Sequence, residues 1–385
     1  MKLNNKLVTF LFLITFFSLC CQCLKAVEKY VISHLGLDHI NSRAYCINNQ
    51  GVVAGVFEIP AAESSSAYKS SFYWSEKTGF AELLFGEGFI PYDMNDNGKI
   101  IGIKDGNVKF PDGKFRAVPS GFMISIEGDY EFGNNFHPKS INNDNHAVGV
   151  NNDNHMACLG KYADRACSPL IKYEAQKPIS IKWPTTALNF FQKLRAEKIG
   201  SIIDYIPVVI NNKDEVVVRM IINDRFQNLG YSFLLSENGP RYFALFNGYA
   251  AVDMNDNAQV ILVTELSKDP ASWVWEHGQV ILSQEFEKLM KYPSSWFWEN
   301  GSYIYLWNGG KALAINNHAV VVGYDEKGAV IWNKEEINYL FDLIENPEGW
   351  ESLNDATDIN DKGEIVGSGI YKGKQSAFLL VPSKE

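Results

Sequence analysis

The chain has 385 residues, a formal charge of −10, and 13% aromatic side chains including nine Trp. An acidic balance argues against nucleic acid, whose binding rests on neutralising phosphates with Lys and Arg, and against adhesion to an anionic bilayer. The sequence lacks a paired Cys/His zinc spacing, a Gly-x-Ser-x-Gly elbow, a His-Glu-x-x-His helix motif and a phosphate-binding glycine loop, so no cofactor or metal is expected.

Lys2 and Lys6 precede an apolar run, Leu7 to Leu19, broken only by Thr9, Thr15 and Ser18. The run is shorter than the roughly 20 residues that span a bilayer and has the length of a secretory signal core. Cys21 and Cys23 stand at the small-residue positions that signal peptidase reads, which marks residues 1–23 as a signal peptide. The cluster Cys20, Cys21 and Cys23 also offers a lipidated cysteine, although Leu19 occupies the place where lipoprotein signals carry a small residue. The expectation is export to the extracellular space or a bacterial periplasm, with no transmembrane segment after the signal.

From there a short phrase recurs seven times: an aliphatic residue, Asn, Asn or Asp, two small or polar residues, then an aliphatic run. Copies begin at Ile47, Met94, Ile141, Ile210, Met254, Ile315 and Ile359. Recurrence on this scale signals a repeat architecture. Each copy reads as a hairpin, in which the aliphatic residue ends one strand, Asn-Asn-x-Gly turns, and Val-Val-Gly starts the next. An aromatic strand follows most hairpins, as Ser71 to Trp74, Ser232 to Leu235, Ser272 to Trp275, Ala329 to Trp332 and Ser376 to Leu379. A further strand precedes them, as at Tyr30 to Leu35 and Tyr339 to Leu343. Four short strands per repeat predict an all-β, seven-bladed β-propeller over residues 27–382, with a solenoid as the rival. If the ring closes through its termini, Tyr30–Leu35 and Ala377–Val381 are neighbours.

Two insertions interrupt the array, near 160–200 and 279–301. The first contains a helical pattern at Thr185 to Lys198; the second contains another at Ser283 to Lys291, followed by an extra aromatic stretch, Ser295 to Trp298. Cys158 and Cys167 lie nine apart across a loop and could form a disulfide in an oxidising compartment, whereas Cys46 reads as a buried thiol.

Asp93 to Gly98 imitates the first half of a calcium loop, but Lys104 stands where the bidentate acid is required, so a structural turn is the better reading. Asp93, Asp253 and Asp358 recur at one repeat position, which favours a turn or strand-end bond over a catalytic pair, and His146 and His318 fall at exposed turn positions. Trp74, Trp275 and Trp332 recur as packing between blades. Trp296 and Trp298, with Tyr303 and Tyr305, lie in or beside an insertion and are the candidate binding residues, suited to stacking on sugars or anchoring a protein.

The combined pattern resembles the HAF extracellular repeat family of bacterial secreted proteins. The resemblance rests on Ser71 to Trp74, Ala377-Phe378, Ala44 to Gly55 and Ala356 to Gly367, and it spans essentially the whole chain after the signal. The fourth and fifth copies depart from it, with Asp214, Val218, Ala258 and Leu262 in place of glycines, and the family's Asp-Leu-Gly-Thr-Leu-Gly-Gly segment is eroded to Ser33 to Gly36. The resemblance implies a secreted repeat domain without a shared activity. The expected function is a monomeric, non-catalytic binding or scaffold module for a protein or glycan; the alternative is a secreted glycosidase-like hydrolase with carboxylates in the central channel.

Overall fold

The computed structural model describes residues 28–383 apart from 37–39, 60–67, 84–87, 110–114, 126–127, 134–135, 152–169, 175–176, 181–200, 225–226, 236–240, 244–248, 265–273, 277–278, 282–293 and 301. The signal region, Cys158, Cys167, Trp273 and both expected helices lie outside the described residues.

The chain opens with β1 (Tyr30–His34) and then lays down antiparallel sheets of four strands. Blade one holds β2 (Ser42–Ile47), β3 (Val53–Ile59), β4 (Tyr68–Ser75) and β5 (Gly79–Glu82). Blade two holds β6 (Phe89–Met94), β7 (Ile100–Lys109), β8 (Phe115–Ser125) and β9 (Gly128–Gly133). Blade three holds β10 (Phe136–Ile141), β11 (Ala147–Asn151), β12 (Leu170–Glu174) and β13 (Lys177–Ser180). Blade four holds β14 (Ser201–Ile210), β15 (Val216–Asp224), β16 (Gln227–Leu235) and β17 (Arg241–Phe243).

Blade five begins with β18 (Tyr249–Met254) and β19 (Val260–Thr264), and a separate two-stranded pair follows, β20 (Val274–Glu276) with β21 (Gln279–Ile281). The sheet then resumes with β22 (Ser294–Glu299) and β23 (Ser302–Asn308). Blade six holds β24 (Lys311–Ile315), β25 (Val321–Asp325), β26 (Gly328–Trp332) and β27 (Ile337–Tyr339). Blade seven takes β28 (Trp350–Ile359), β29 (Ile365–Tyr371) and β30 (Lys374–Pro382), and β1 completes it as the outermost strand. The termini are therefore paired, with Tyr30 opposite Pro382 and His34 opposite Phe378.

Three details of the expected layout change. Ser295 to Trp298 is no extra stretch: it is the third strand of blade five, and the interruption is the preceding segment that carries β20 and β21. Trp298 faces Val260 as Trp74 faces Val53 and Trp332 faces Val321, so Trp298, not Trp275, is the repeat-position tryptophan. The segment 340–343 is a 3-10 turn, and the strand before it is β27.

The core lies between neighbouring sheets. Leu35, Ala44, Val53 and Phe72 pack with Val366, Ala377 and Leu379 across the blade seven–blade one junction. Ile261, Phe297 and Trp307 pack with Val321, Val330 and Trp332 across the next-to-last junction but one, between blades five and six. Each large side chain so removed from water contributes about 1.5–3 kcal/mol of transfer free energy. The last glycine of the repeat phrase serves this packing: a Cβ on Gly55 would lie 2.3 Å from the Arg43 carbonyl oxygen and 2.6 Å from the Phe72 ring. Among the described residues no helix is long and apolar enough to cross a membrane.

Candidate functional site: the axial channel and the outer strand of blade five

The seven repeat turns converge on the axis, because each joins the first and second strands of its blade. In every one the first Asn folds back on its own loop. Asn48 Oδ1 accepts from Gln50 N and Val52 N, both at 3.0 Å, and Asn95, Asn142, Asn211, Asn255, Asn316 and Asn360 repeat the pattern. The same side chain donates from Nδ2 to the backbone carbonyl of the next turn's Asn at 2.8–3.2 Å, from Asn48 around to Asn360 and back to Asn48. One residue type at one position thus closes the turn and ties the blades.

A second ring lies one residue on: Asn49, Asp96, Asn143, Asn212, Asp256, Asn317 and Asp361. Each backbone N–H donates to the Oδ1 of the next member at 2.8 Å, without a gap around the circle. The Oδ2 of each Asp also accepts from the amides of both neighbours: Asp96 from Asn49 and Asn143, Asp256 from Asn212 and Asn317, Asp361 from Asn317 and Asn49. Six of the seven junctions gain this extra bond; the Asn143–Asn212 junction does not. There His146 Nδ1 lies 2.8 Å from Asp214 Oδ1, which also accepts from Asn142 Nδ2. His146 is consequently half-buried, unlike the exposed His318.

Both rings enclose a cavity of about 160 Å³. Behind it lies a second cavity of about 140 Å³, lined by Tyr45, Cys46, Tyr92, Lys139, Thr357 and Asp358 among others. Asp93 and Asp253 line both. Each of the three recurring acids makes the strand-end bond expected of it: Oδ1 accepts from the following N–H, Met94, Met254 or Ile359, at 2.7–2.8 Å. Sequence reasoning missed what Oδ2 does, which is to reach the next blade and line the channel. It accepts from Ile141 N at 2.9 Å for Asp93, Ile315 N at 3.0 Å for Asp253 and Ile47 N at 2.8 Å for Asp358. Burial raises all three carboxyls, Asp93 to about 6, Asp253 to about 7 and Asp358 well above its ordinary value; repulsion between them adds to the last two. Each of the three residues is only partly buried.

The oxygens of the calcium-like segment diverge. Asp93 faces the channel, Asn95 accepts from Asn97 N and Lys99 N, and Asp96 accepts from Asn49 N. Cys46 is a buried free thiol, raised by burial and by Asp358 and Asp93.

The four candidate aromatics share blade five but not one environment. Trp298 is 4% exposed and packs among Val217, Val260 and Leu262, which removes it from any binding surface. Trp296 is half-buried, donates from Nε1 to Ser294 Oγ at 3.0 Å, and meets the Tyr305 ring edge to face at 5.2 Å. On β23, Tyr303, Ile304 and Tyr305 are exposed in succession, at 37%, 45% and 39%. Partial burial raises the Tyr303 hydroxyl to about 12 and Tyr305 in the same direction.

The β-propeller domain of the Trilobed protease from Pyrococcus furiosus matches this chain with a TM-score of 0.54 at 10% identity, over 90% of this chain and 94% of that one. The fold is a β-propeller. That archaeal domain has an open velcro topology, whereas here β1 is bonded to β30. The acylaminoacyl peptidase of Pyrococcus horikoshii is similar at a TM-score of 0.47 and 11% identity, over 88% of this chain and 52% of that one, so this propeller spans about half its length. A sialidase of Trypanosoma rangeli is similar at 0.34 and 6% identity, over 92% of this chain and 55% of that one. No family model and no curated protein matches the sequence.

Proposed function

We propose that this propeller is an exported, non-catalytic binding or scaffold module whose partner is a protein or a glycan. The observation that carries the reading is the run Tyr303-Ile304-Tyr305, three large side chains exposed in a row on an outermost strand, with Trp296 behind Tyr305. Tyrosine rings give a flat apolar face with a hydroxyl at its edge, which suits stacking on sugar rings or anchoring a polypeptide. The polar groups at the channel mouth, by contrast, are bonded to one another. The resemblance to HAF repeats and the signal-like amino terminus agree with a role outside the cytoplasm. A glycan array and a pull-down with the intact protein test the reading. The double variant Tyr303→Ala/Tyr305→Ala is expected to lower capture at least tenfold with an unchanged circular dichroism spectrum, and undiminished capture refutes the assignment.

A second reading, a channel hydrolase, draws on one observation. Asp93 and Asp253 line the same cavities, with carboxyls raised into the range where one group can hold a proton that another has released. Against it, both oxygens of each acid accept main-chain N–H groups. Turnover of aryl glycosides by the intact chain, lost in Asp253→Ser, would replace the first reading with this one.

A further inference from the structure

The two axial cavities share Asp93, Ser140, Val209 and Asp253, and Asp358 lines the second, so the three acids stand at the waist where the chambers meet. Each ties its blade to the next: two to three, five to six, and seven to one, the last being the junction that closes the ring. The other four blades place Cys46, Ser140, Val209 and Ala314 at this position, so the fold does not demand an acid there. Among the described residues none of the three forms an ion pair. The cation lining the same cavity is Lys139, whose ammonium lies 5.1 Å from the centre of the Tyr92 ring. Of the other titratable groups facing the waist, Tyr45 and Cys46 come from blade one and Tyr92 from blade two. On the opposite side stand the carboxyls of Asp96, Asp256 and Asp361, one per acid-bearing blade. The like charges of Asp93, Asp253 and Asp358, raised against one another, oppose the closure that their own hydrogen bonds support, and the three mouth carboxyls do not enter that repulsion.

We propose that this waist is a proton-operated catch on the ring: it takes up protons as the medium acidifies, which removes the repulsion across the axis and tightens the three junctions, and it releases them towards alkaline pH, which loosens those junctions. The direction follows from linkage. All three carboxyls lie higher in the folded chain, Asp93 at about 6 and Asp253 at about 7, than the roughly 3.9 of an unfolded Asp. The folded state therefore holds more protons in between, and the stability this confers is fully present below the unfolded value and lost as pH rises through the folded ones. This is the reverse of the usual behaviour of a hydrogen-bonded aspartate.

The test is the thermal midpoint of the full chain between about pH 5 and pH 8 at fixed ionic strength, with proton exchange on unfolding in weak buffer near pH 6. The midpoint should fall by several degrees as pH rises, and unfolding should release about one to two protons per chain. Serine already occupies the position in blade three, so Asp93→Ser, Asp253→Ser and Asp358→Ser, combined, should flatten the slope and abolish the release; Asp256→Asn should leave both intact. If the triple variant does not fold, each single serine variant should remove part of the slope. Proton uptake on unfolding of the unsubstituted chain, a midpoint that does not fall, a slope unchanged by the serine variants, or one that follows Asp256→Asn instead, overturns the proposal.

Discussion

At the scale of the residue, the informative position is the first Asn of each repeat. Its oxygen satisfies two N–H groups of its own turn and its amide satisfies a carbonyl of the next blade, so one side chain supports both local and ring structure. Asn316 is a clean case, because its neighbours Val320 and Gly363 offer its amide nothing further, whereas Asn360 also reaches Glu364. Asn316→Ala leaves the N–H groups of His318 and Val320 and the Asn360 carbonyl without their partner. At about 1 kcal/mol for each lost bond, it should cost about 2–4 kcal/mol, read as a lower urea midpoint with an unchanged m-value. The sequence reveals this residue as a turn former, since Asn bonds its own backbone. Its second partner is not legible there, because that carbonyl lies 44 residues away on another blade.

At the scale of the element, blade five shows where pattern reading succeeds and where it fails. Ser272-Trp-Val-Trp and Ser295-Trp-Phe-Trp carry the same alternation, and distance from the preceding hairpin favours the first. The sheet takes the second: β22 pairs with β19, and the earlier copy contributes to the separate β20–β21 pair. Strand period alone cannot choose between two equally apolar candidates, because the choice rests on what each face meets across the blade junction. Trp298 shares a core cluster there with Val209, Val217 and Leu234 of blade four. Trp298→Ala should therefore cost about 3–5 kcal/mol, whereas Tyr303→Ala on the outer strand should change stability by no more than about 0.5 kcal/mol; chemical denaturation of the two variants side by side checks the contrast. The hairpins read correctly throughout because Asn, Asp and Gly mark turns for a local reason. The left-handed turn residue is Gly at 51, 98 and 363, yet Asn145, Asp214, Ala258 and Ala319 take the same conformation at φ 57–63°, so the missing glycines of the fourth and fifth copies do not alter the turn.

At the scale of the whole molecule, the array closes by lending its first strand to its last sheet. Sequence spacing made that closure a testable expectation, and the pairing of Tyr30–His34 with Phe378–Pro382 meets it. Removing residues 1–35 would bare the outer edge of β30, a ready template for another chain. The truncated protein should melt lower and associate with rising concentration, which light scattering would report; a monomer of unchanged midpoint would show the strand to be dispensable. The mouth ring carries a subtler consequence. Amide and carboxylate side chains alternate around it, donor beside acceptor, but a circle with an odd number of members cannot alternate all the way round. One like pair must remain, and it is Asn143 with Asn212, the single junction without the extra side-chain bond. A substitution such as Asn212→Asp could only move that fault to the next junction, beside Asp256. Parity, not any one residue, forbids a ring of seven without a weak joint, and this sequence holds the number to the minimum of one.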